Sequence, residues 1–452
     1  MHVKGAGPGQ QAAKPRQRYR TIMQLDTADT SSTDPVPADD HPAHGIDAPD
    51  LRLFVMALFF VFGGITSLND VIIPKLKDLF TLSYGQAMLV QSAFFAAYFV
   101  ISLPAAGIVR RSGYLRTAAF GVLTMAVGCL LFIPASRSGQ FTVFLLALFV
   151  LASGITMVQV VANPLISLLG PPRTAHSRLT FAQAFNSLGT TVFPYVGSIL
   201  ILGSLAMAPD AADRAAVTAY RVQETQVVVN TYLGLAAALL LLAAVIWLRR
   251  HRLPWKPGAP TRFIHALELL KRRRFGWGAL CIFLYVGAEV AIGSLIVNYL
   301  MQASTMGLEQ QAAGKHVPLY WFGALVGRFI GAWLLRVVSP GKVLAAAASG
   351  AIALIAASAL AQGPASGWTL LAIGLCNSIM FPTIFSLACE GLGRRAAEGS
   401  GLICVAIVGG AIIPPLTGVL ADITDLRTAL LLPAACYAVI ACYGVYARRP
   451  AG

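Results

Sequence analysis

Twelve apolar runs of about 20 residues, separated by short linkers, constrain this chain more than any other feature. A run of that length crosses a bilayer as a helix, because a helix satisfies its own backbone polar groups where there is no water. The runs lie near residues 51–73, 86–109, 116–135, 141–169, 180–204, 227–248, 275–303, 317–337, 342–362, 367–391, 399–421 and 428–447. The dyad alternation of membrane β-strands is absent. The fold class is therefore an all-α membrane protein with 12 transmembrane helices. Composition agrees: 57% of residues are hydrophobic, 12% are charged and the mean hydropathy is +0.70. That is too little charge to cover a soluble protein of 452 residues.

Basic residues collect in alternate linkers. Arg110, Arg111 and Arg116 follow the second run, Arg173 and Arg178 the fourth, Arg336 and Lys342 the eighth, and Arg394 and Arg395 the tenth. Arg448 and Arg449 end the last run, and the central stretch Arg249 to Arg274 holds nine basic residues and one acid, Glu268. The other linkers carry Asp210, Asp213, Glu224, Asp422 and Asp425. The positive-inside rule then places both termini and the central linker in the cytoplasm, with a bacterial-type inner (plasma) membrane expected. The net charge of +15 is spread over these linkers, not gathered on one soluble face, so no nucleic-acid partner is expected.

Seven of the 19 acidic residues lie in the first fifty positions, among Pro, Ser, Thr and His and without an apolar h-region. This stretch reads as a disordered cytoplasmic tail and not as a cleaved signal peptide. The expected division is a tail over 1–50, a six-helix bundle over 51–248, a basic linker over 249–274, a second six-helix bundle over 275–447 and a cytoplasmic end over 448–452. The seven cysteines fall in or beside apolar runs and read as free thiols, with no metal or disulfide spacing.

The two halves echo each other. Asn163-Pro164 parallels Phe381-Pro382 218 positions later. Phe193-Pro194 through Gly197 parallels Ile413-Pro414 through Gly418 at a distance of 220. Gly107, Arg111 and Gly113 parallel Gly331, Arg336 and Gly341. Three matches in order argue for parallel half-repeats, as in major facilitator transporters.

Polar groups inside the runs fall on helical faces. Thr66 and Asp70 are four apart, as are Gln159 and Asn163, while Gln183, Asn186 and Thr190 form one stripe. Run 7 carries Tyr285, Glu289 and Asn298, and run 10 carries Asn377, Thr383 and Ser386. Asn and Gln both donate and accept, so an amide-lined cavity suits a hydroxyl-rich solute such as a sugar. Interhelical bonding alone is the competing account, favoured for Thr383 and Ser386 and disfavoured for the amides carried by two adjacent helices. Asp70 and Glu289 are isolated acids in apolar runs and are assigned to ion coupling, because an ionised carboxylate is costly there. Glu390, beside Arg394 and Arg395, is expected in an interfacial ion pair. Arg328 stays open between neutralising a buried acid, binding substrate and snorkelling to the headgroups.

Several words resemble the fucose–proton symporter family of the major facilitator superfamily. They are Leu68-Asn69-Asp70 with Ile73-Pro74, Val90-Gln91-Ser92-Ala93-Phe94-Phe95, Ala162-Asn163-Pro164 and Ala182-Gln183-Ala184-Phe185-Asn186-Ser187-Leu188-Gly189. Tyr285 to Glu289, Asn377 to Phe385 and Ala406 to Pro414 complete the set, and the likeness runs from about 52 to 447. The resemblance implies proton coupling at Asp70 and adds Asn69 and Gln91 to the substrate-binding candidates Gln159, Asn163, Gln183, Asn186, Asn298 and Asn377. Fucose-transporting members carry a glutamate in span 4 where this chain has Gln159, which carries no ionisable proton, so the resemblance does not extend to a two-carboxylate relay through spans 1 and 4. The chain looks more like the glucose/galactose permease branch. N-acetylglucosamine, mannose and fucose permeases are the alternatives.

The resemblance implies a monosaccharide substrate, symport by alternating access, no organic cofactor and a functional monomer. It includes sodium-coupled members, so the coupling ion stays open, with the proton favoured. A drug–proton antiporter would need a greasier cavity, a sugar sensor a signalling domain, and an enzyme a nucleophile–base or metal set. His176, His251, His265 and His316 all sit in linkers, so no enzyme activity is expected.

Overall fold

The computed structural model describes residues 48–80, 84–138, 140–197, 214–253 and 266–448. Side chains of 69–91, 214–225 and a few single positions are outside that description. The acidic tail and the middle of the basic linker, 254–265, also lie outside the described residues.

The helices of the first half are α1 (Pro49–Phe80), α2 (Tyr84–Ser112), α3 (Tyr114–Leu130, continued by Phe132–Ser138), α4 (Phe141–Leu168), α5 (Ala175–Gly197) and α6 (Arg214–Leu248). The second half begins with α7 (Arg273–Met301), α8 (Val317–Val337) and α9 (Pro340–Leu360). It ends with α10 (Pro364–Asn377), α11 (Met380–Ala388), α12 (Ala396–Ala406), α13 (Gly409–Ile423) and α14 (Leu431–Tyr446). Eleven stretches of the described residues are long and apolar enough to cross a membrane. The remaining predicted span is α5, which carries the Gln183–Asn186–Thr190 stripe and leads into undescribed residues.

Several boundaries differ from the sequence expectation, most of all α6, which starts at Arg214 and not near 227. α1 continues to Phe80, past residue 73, and α7 starts at Arg273, inside the predicted linker. Charged residues end hydropathy runs but not helices, since Lys and Arg stems pass along the headgroup region while the backbone stays helical.

The prolines act unevenly. Pro164 and Pro194 sit inside the unbroken helices α4 and α5. The tenth and eleventh spans each break in two, between Asn377 and Met380 and between Ala406 and Gly409. Pro382 falls at the third residue of α11, a first-turn position where a missing N–H costs no helical bond. Pro414 and Pro415 lie within α13, after the break.

Helix pairing repeats between the halves. In the first, α1 packs on α5, α2 on α4 and α3 on both α4 and α6. In the second, α7 packs on α13, α8 on α10 and α9 on both α10 and α14. The match extends to single atoms at the tightest crossings. A Cβ at Gly64 would strike the Phe193 ring, and one at Gly189 would strike the Phe60 carbonyl. Gly287 stands in the same relation to Ile413, and Gly409 to the Phe283 carbonyl, 220 to 223 positions later. Glycine is required at these four places because a helix backbone meets the backbone or a bulky side chain of its neighbour.

The halves meet along two seams, α5 against α8 and α2 against α12, which exchange under the same six-helix shift.

Candidate functional site

On the first-half side, amides from two helices meet. Tyr98 on α2 donates its hydroxyl to Gln159 Oε1 on α4 at 2.9 Å. Gln183 Nε2 on α5 approaches Asn163 Oδ1 on α4 at 3.4 Å, and Asn186 Nδ2 donates to the Phe59 carbonyl of α1 at 3.3 Å. Gln159, Asn163 and Gln183 are buried, and Asn163 Nδ2 has no hydrogen-bond partner. Of the four amides predicted from the sequence, Asn163 and Gln183 are thus brought together, while Gln159 bonds Tyr98 and Asn186 bonds the α1 backbone. Asn69 and Asp70 on α1 and Gln91 on α2 have side chains outside the described residues. Thr66, on the Asp70 face, turns its hydroxyl to its own helix at Phe62 O.

On the second-half side, hydroxyls surround one acid. Tyr285 hydroxyl lies 2.7 Å from Glu289 Oε1 and 3.0 Å from the Asn377 carbonyl. It has one hydrogen for two acceptors. The hydroxyl donates to Glu289 or to the Asn377 carbonyl, or is shared between them. Asn377 Nδ2 contacts the Tyr320 hydroxyl at 2.6 Å, and Asn377 Oδ1 is buried without a partner. Asn377 sits at the break that opens the tenth span, which is why its carbonyl is free to accept from Tyr285. Asn298 is exposed on α7 and makes none of these bonds.

Arg328 does not snorkel. Its Nε donates to the Ser378 carbonyl at 3.2 Å in its own half, and its Nη1 donates to the Gln183 carbonyl at 2.9 Å and to Ser187 Oγ in the other half. It therefore ties α8 to α5 at the level of the amides. A long apolar run gives no acceptor for a guanidinium, but the break in the tenth span and the α5 face supply three.

From that level toward the arginine-rich linkers the seams are closed by further bonds between halves. Ser177 Oγ donates to Ala332 O at 2.6 Å, Arg336 Nε to Ser177 Oγ at 3.2 Å and Ser400 Oγ to Val160 O at 2.8 Å. His176 Nδ1 lies 2.6 Å from Ser386 Oγ, so Ser386 joins helices as the sequence reading favoured. Glu398, only 3% exposed, pairs with Arg110 of α2 and with Arg395, whose Nε is 2.9 Å away. Glu390 is also in an ion pair, as the sequence reading expected, with Arg274 of α7 as its partner. Arg395 is turned inward to Glu398 instead. Burial holds the Glu390 carboxyl above its usual range despite that arginine. Arg178 closes the end of α4, donating to the carbonyls of Ile166, Ser167, Gly170 and Pro171.

A scan against protein families matches the Major Facilitator Superfamily over residues 55–407. The chain belongs to that superfamily. It is similar to the glucose/galactose transporter of Brucella abortus biovar 1 (strain 9-941), with 48% identity over 398 residues covering 87% of this chain and 92% of that one. The L-fucose-proton symporter of Escherichia coli K12 is 35% identical, covering 85% and 90%. A crystal structure of FucP, a major facilitator transporter in the outward conformation, superposes with a TM-score of 0.81 at 32% identity, covering 89% of this chain and 99% of that one. The two six-helix pseudo-repeats are thus those of a major facilitator, a multi-pass membrane transporter.

Sequence reasoning passed over Tyr98, Tyr320 and Glu398. The first two are aromatic residues in apolar runs, where nothing separates a hydroxyl that reaches an amide from one that merely packs. Glu398 stands one position before the predicted eleventh span, three residues after Arg395 in an arginine-bearing linker.

Proposed function

We propose that this chain imports a monosaccharide, a hexose of the glucose/galactose type, by proton symport and alternating access. What carries the reading is the amide wall of Gln159, Asn163, Gln183 and Asn186, whose donors and acceptors match sugar hydroxyls. The names of the Brucella and Escherichia relatives support it, and Gln159 in place of the span 4 glutamate favours the glucose/galactose type over fucose.

Asp70 and Glu289 are the protonatable groups. With Arg328 the membrane interior carries two acids and one base, so one bound proton makes the site neutral. A neutral site crosses the reorientation step without the cost of dragging a net charge through low dielectric. Asn69, Gln91, Asn298 and Asn377 are assigned to the remaining sugar contacts.

The basic end is read as cytoplasmic, with both termini there, in a bacterial inner membrane. The bonds closing that end then describe an outward-facing state, in keeping with the FucP likeness. One chain contains the whole site, so a monomer is expected to work.

The test is counterflow in proteoliposomes with glucose, galactose, mannose, fucose and N-acetylglucosamine, each with and without sodium and with an imposed pH gradient. Glucose and galactose should exchange fastest, and an inward proton gradient alone should drive their accumulation. Accumulation that follows sodium and ignores the pH gradient overturns the proton assignment.

A further inference from the structure

Arg328 spends only part of its hydrogen-bonding capacity on holding the halves together. Nε and Nη1 serve Ser378, Gln183 and Ser187, while Nη2 makes no hydrogen bond among the described residues and keeps a solvent-open face. Glu289 is in the matching condition. Its Oε1 meets Tyr285, and its Oε2 is unbonded and likewise open. No ion pair joins the two, so their nearest N and O atoms stay more than 4.0 Å apart.

Two opposite charges in a low-dielectric interior close up unless each is held in place. Here each is held, Arg328 by three acceptors on two halves and Glu289 by Tyr285. Their anchors are neighbouring carbonyls, Asn377 O for the Tyr285 that holds Glu289 and Ser378 O for Arg328, so a fixed donor and a fixed acceptor stand near each other with a gap between them. Such a gap fits a pair of neighbouring hydroxyls, one accepting from the guanidinium and the other donating to the carboxyl. Because both partners are already immobilised, little side-chain entropy is lost when the gap is filled.

We propose that Arg328 Nη2 and Glu289 Oε2 grip adjacent hydroxyls of the transported sugar, making Arg328 a substrate-binding residue as well as a tie between the halves. The inference rests on the sugar-transport reading above and deepens it. Sugar would then be bound by α7 and α8 on one side while the same arginine holds α5 on the other.

The test measures binding of galactose, glucose and their monodeoxy analogues to the purified full-length chain in nanodiscs. Arg328→Lys should weaken galactose binding about tenfold or more, the usual scale for a hydrogen bond from a charged donor. One monodeoxy analogue should lose a similar factor in the wild type and lose nothing further in Arg328→Lys, since both changes remove the same bond. Ser187→Ala, which loosens the tie but leaves Nη2 in place, should keep both the galactose affinity and the analogue selectivity. In the unaltered protein, galactose should slow phenylglyoxal modification of Arg328, read by peptide mass mapping. This arm stands even if the variants do not fold. The assignment is overturned if Arg328→Lys binds galactose as the wild type does, if every analogue loses equally in both proteins, or if galactose leaves the modification rate unchanged. A wild type that binds none of the hexoses overturns the transport reading itself, and the grip falls with it.

Discussion

The two halves are alike where they hold themselves together and unlike where they face each other. Their glycine crossings match in register, with Gly189 on the Phe60 carbonyl and Gly409 on the Phe283 carbonyl. Their central walls do not match. The first half presents amides on continuous helices, Gln159, Asn163, Gln183 and Asn186. The second presents Tyr285, Tyr320, Glu289 and Arg328 around two broken spans. The difference teaches that scaffold and chemistry are separable in this fold. Crossings set by backbone contact tolerate no side-chain variation, whereas the inward faces are free to diverge in the polar groups they carry.

The largest expected effect bears on the acids. Asp70→Asn should abolish proton-driven accumulation in vesicles while leaving sugar exchange, because the neutral amide mimics the protonated form. Glu289→Gln should leave accumulation reduced but present if Asp70 is the principal coupling group, and should remove one titration from the pH profile of uptake. Equal loss in both variants would erase the functional asymmetry between the halves.

The next effect falls on the scaffold. Gly189→Ala and Gly409→Ala should each lower stability by about 1–3 kcal/mol, the cost of overpacking a tight crossing. Matched falls in melting temperature in detergent would sharpen the equivalence, and a large fall in one alone would break it.

The smallest lies at the far end of the second half. The Asp425 carboxylate accepts from the Thr428 hydroxyl at 2.6 Å and from the backbone N–H groups of Arg427 and Thr428, which hold it below its usual range. Its contribution is present above the ordinary carboxylate pKa and is lost as pH falls through the lowered value. Asp425→Ala should therefore melt slightly earlier than wild type at neutral pH, and the difference should vanish in acid.

Much of the fold was legible because length and apolarity alone identify a membrane helix, and proline-bearing words carried the repeat. The amide wall was legible too, since a polar stripe on a helix in lipid must face protein. Arg328 was not, because its three acceptors lie 50, 141 and 145 positions away on other helices. Glu398 was missed for a similar reason. A residue at a span boundary reads as linker until a partner such as Arg110 draws it inside. The breaks in the tenth and eleventh spans escaped because proline marked neighbouring positions and not the breaks.

The crossings at Gly189 and Gly409 also bear on motion. Where main chain rests on main chain there is no compressible side chain between two helices, so α1 and α5, or α7 and α13, cannot slide past each other by small rotamer changes. Each half behaves as a stiff lever. Strain applied at the sugar would then be delivered almost undiminished to the few bonds along the α5–α8 and α2–α12 seams, where it can be released one bond at a time.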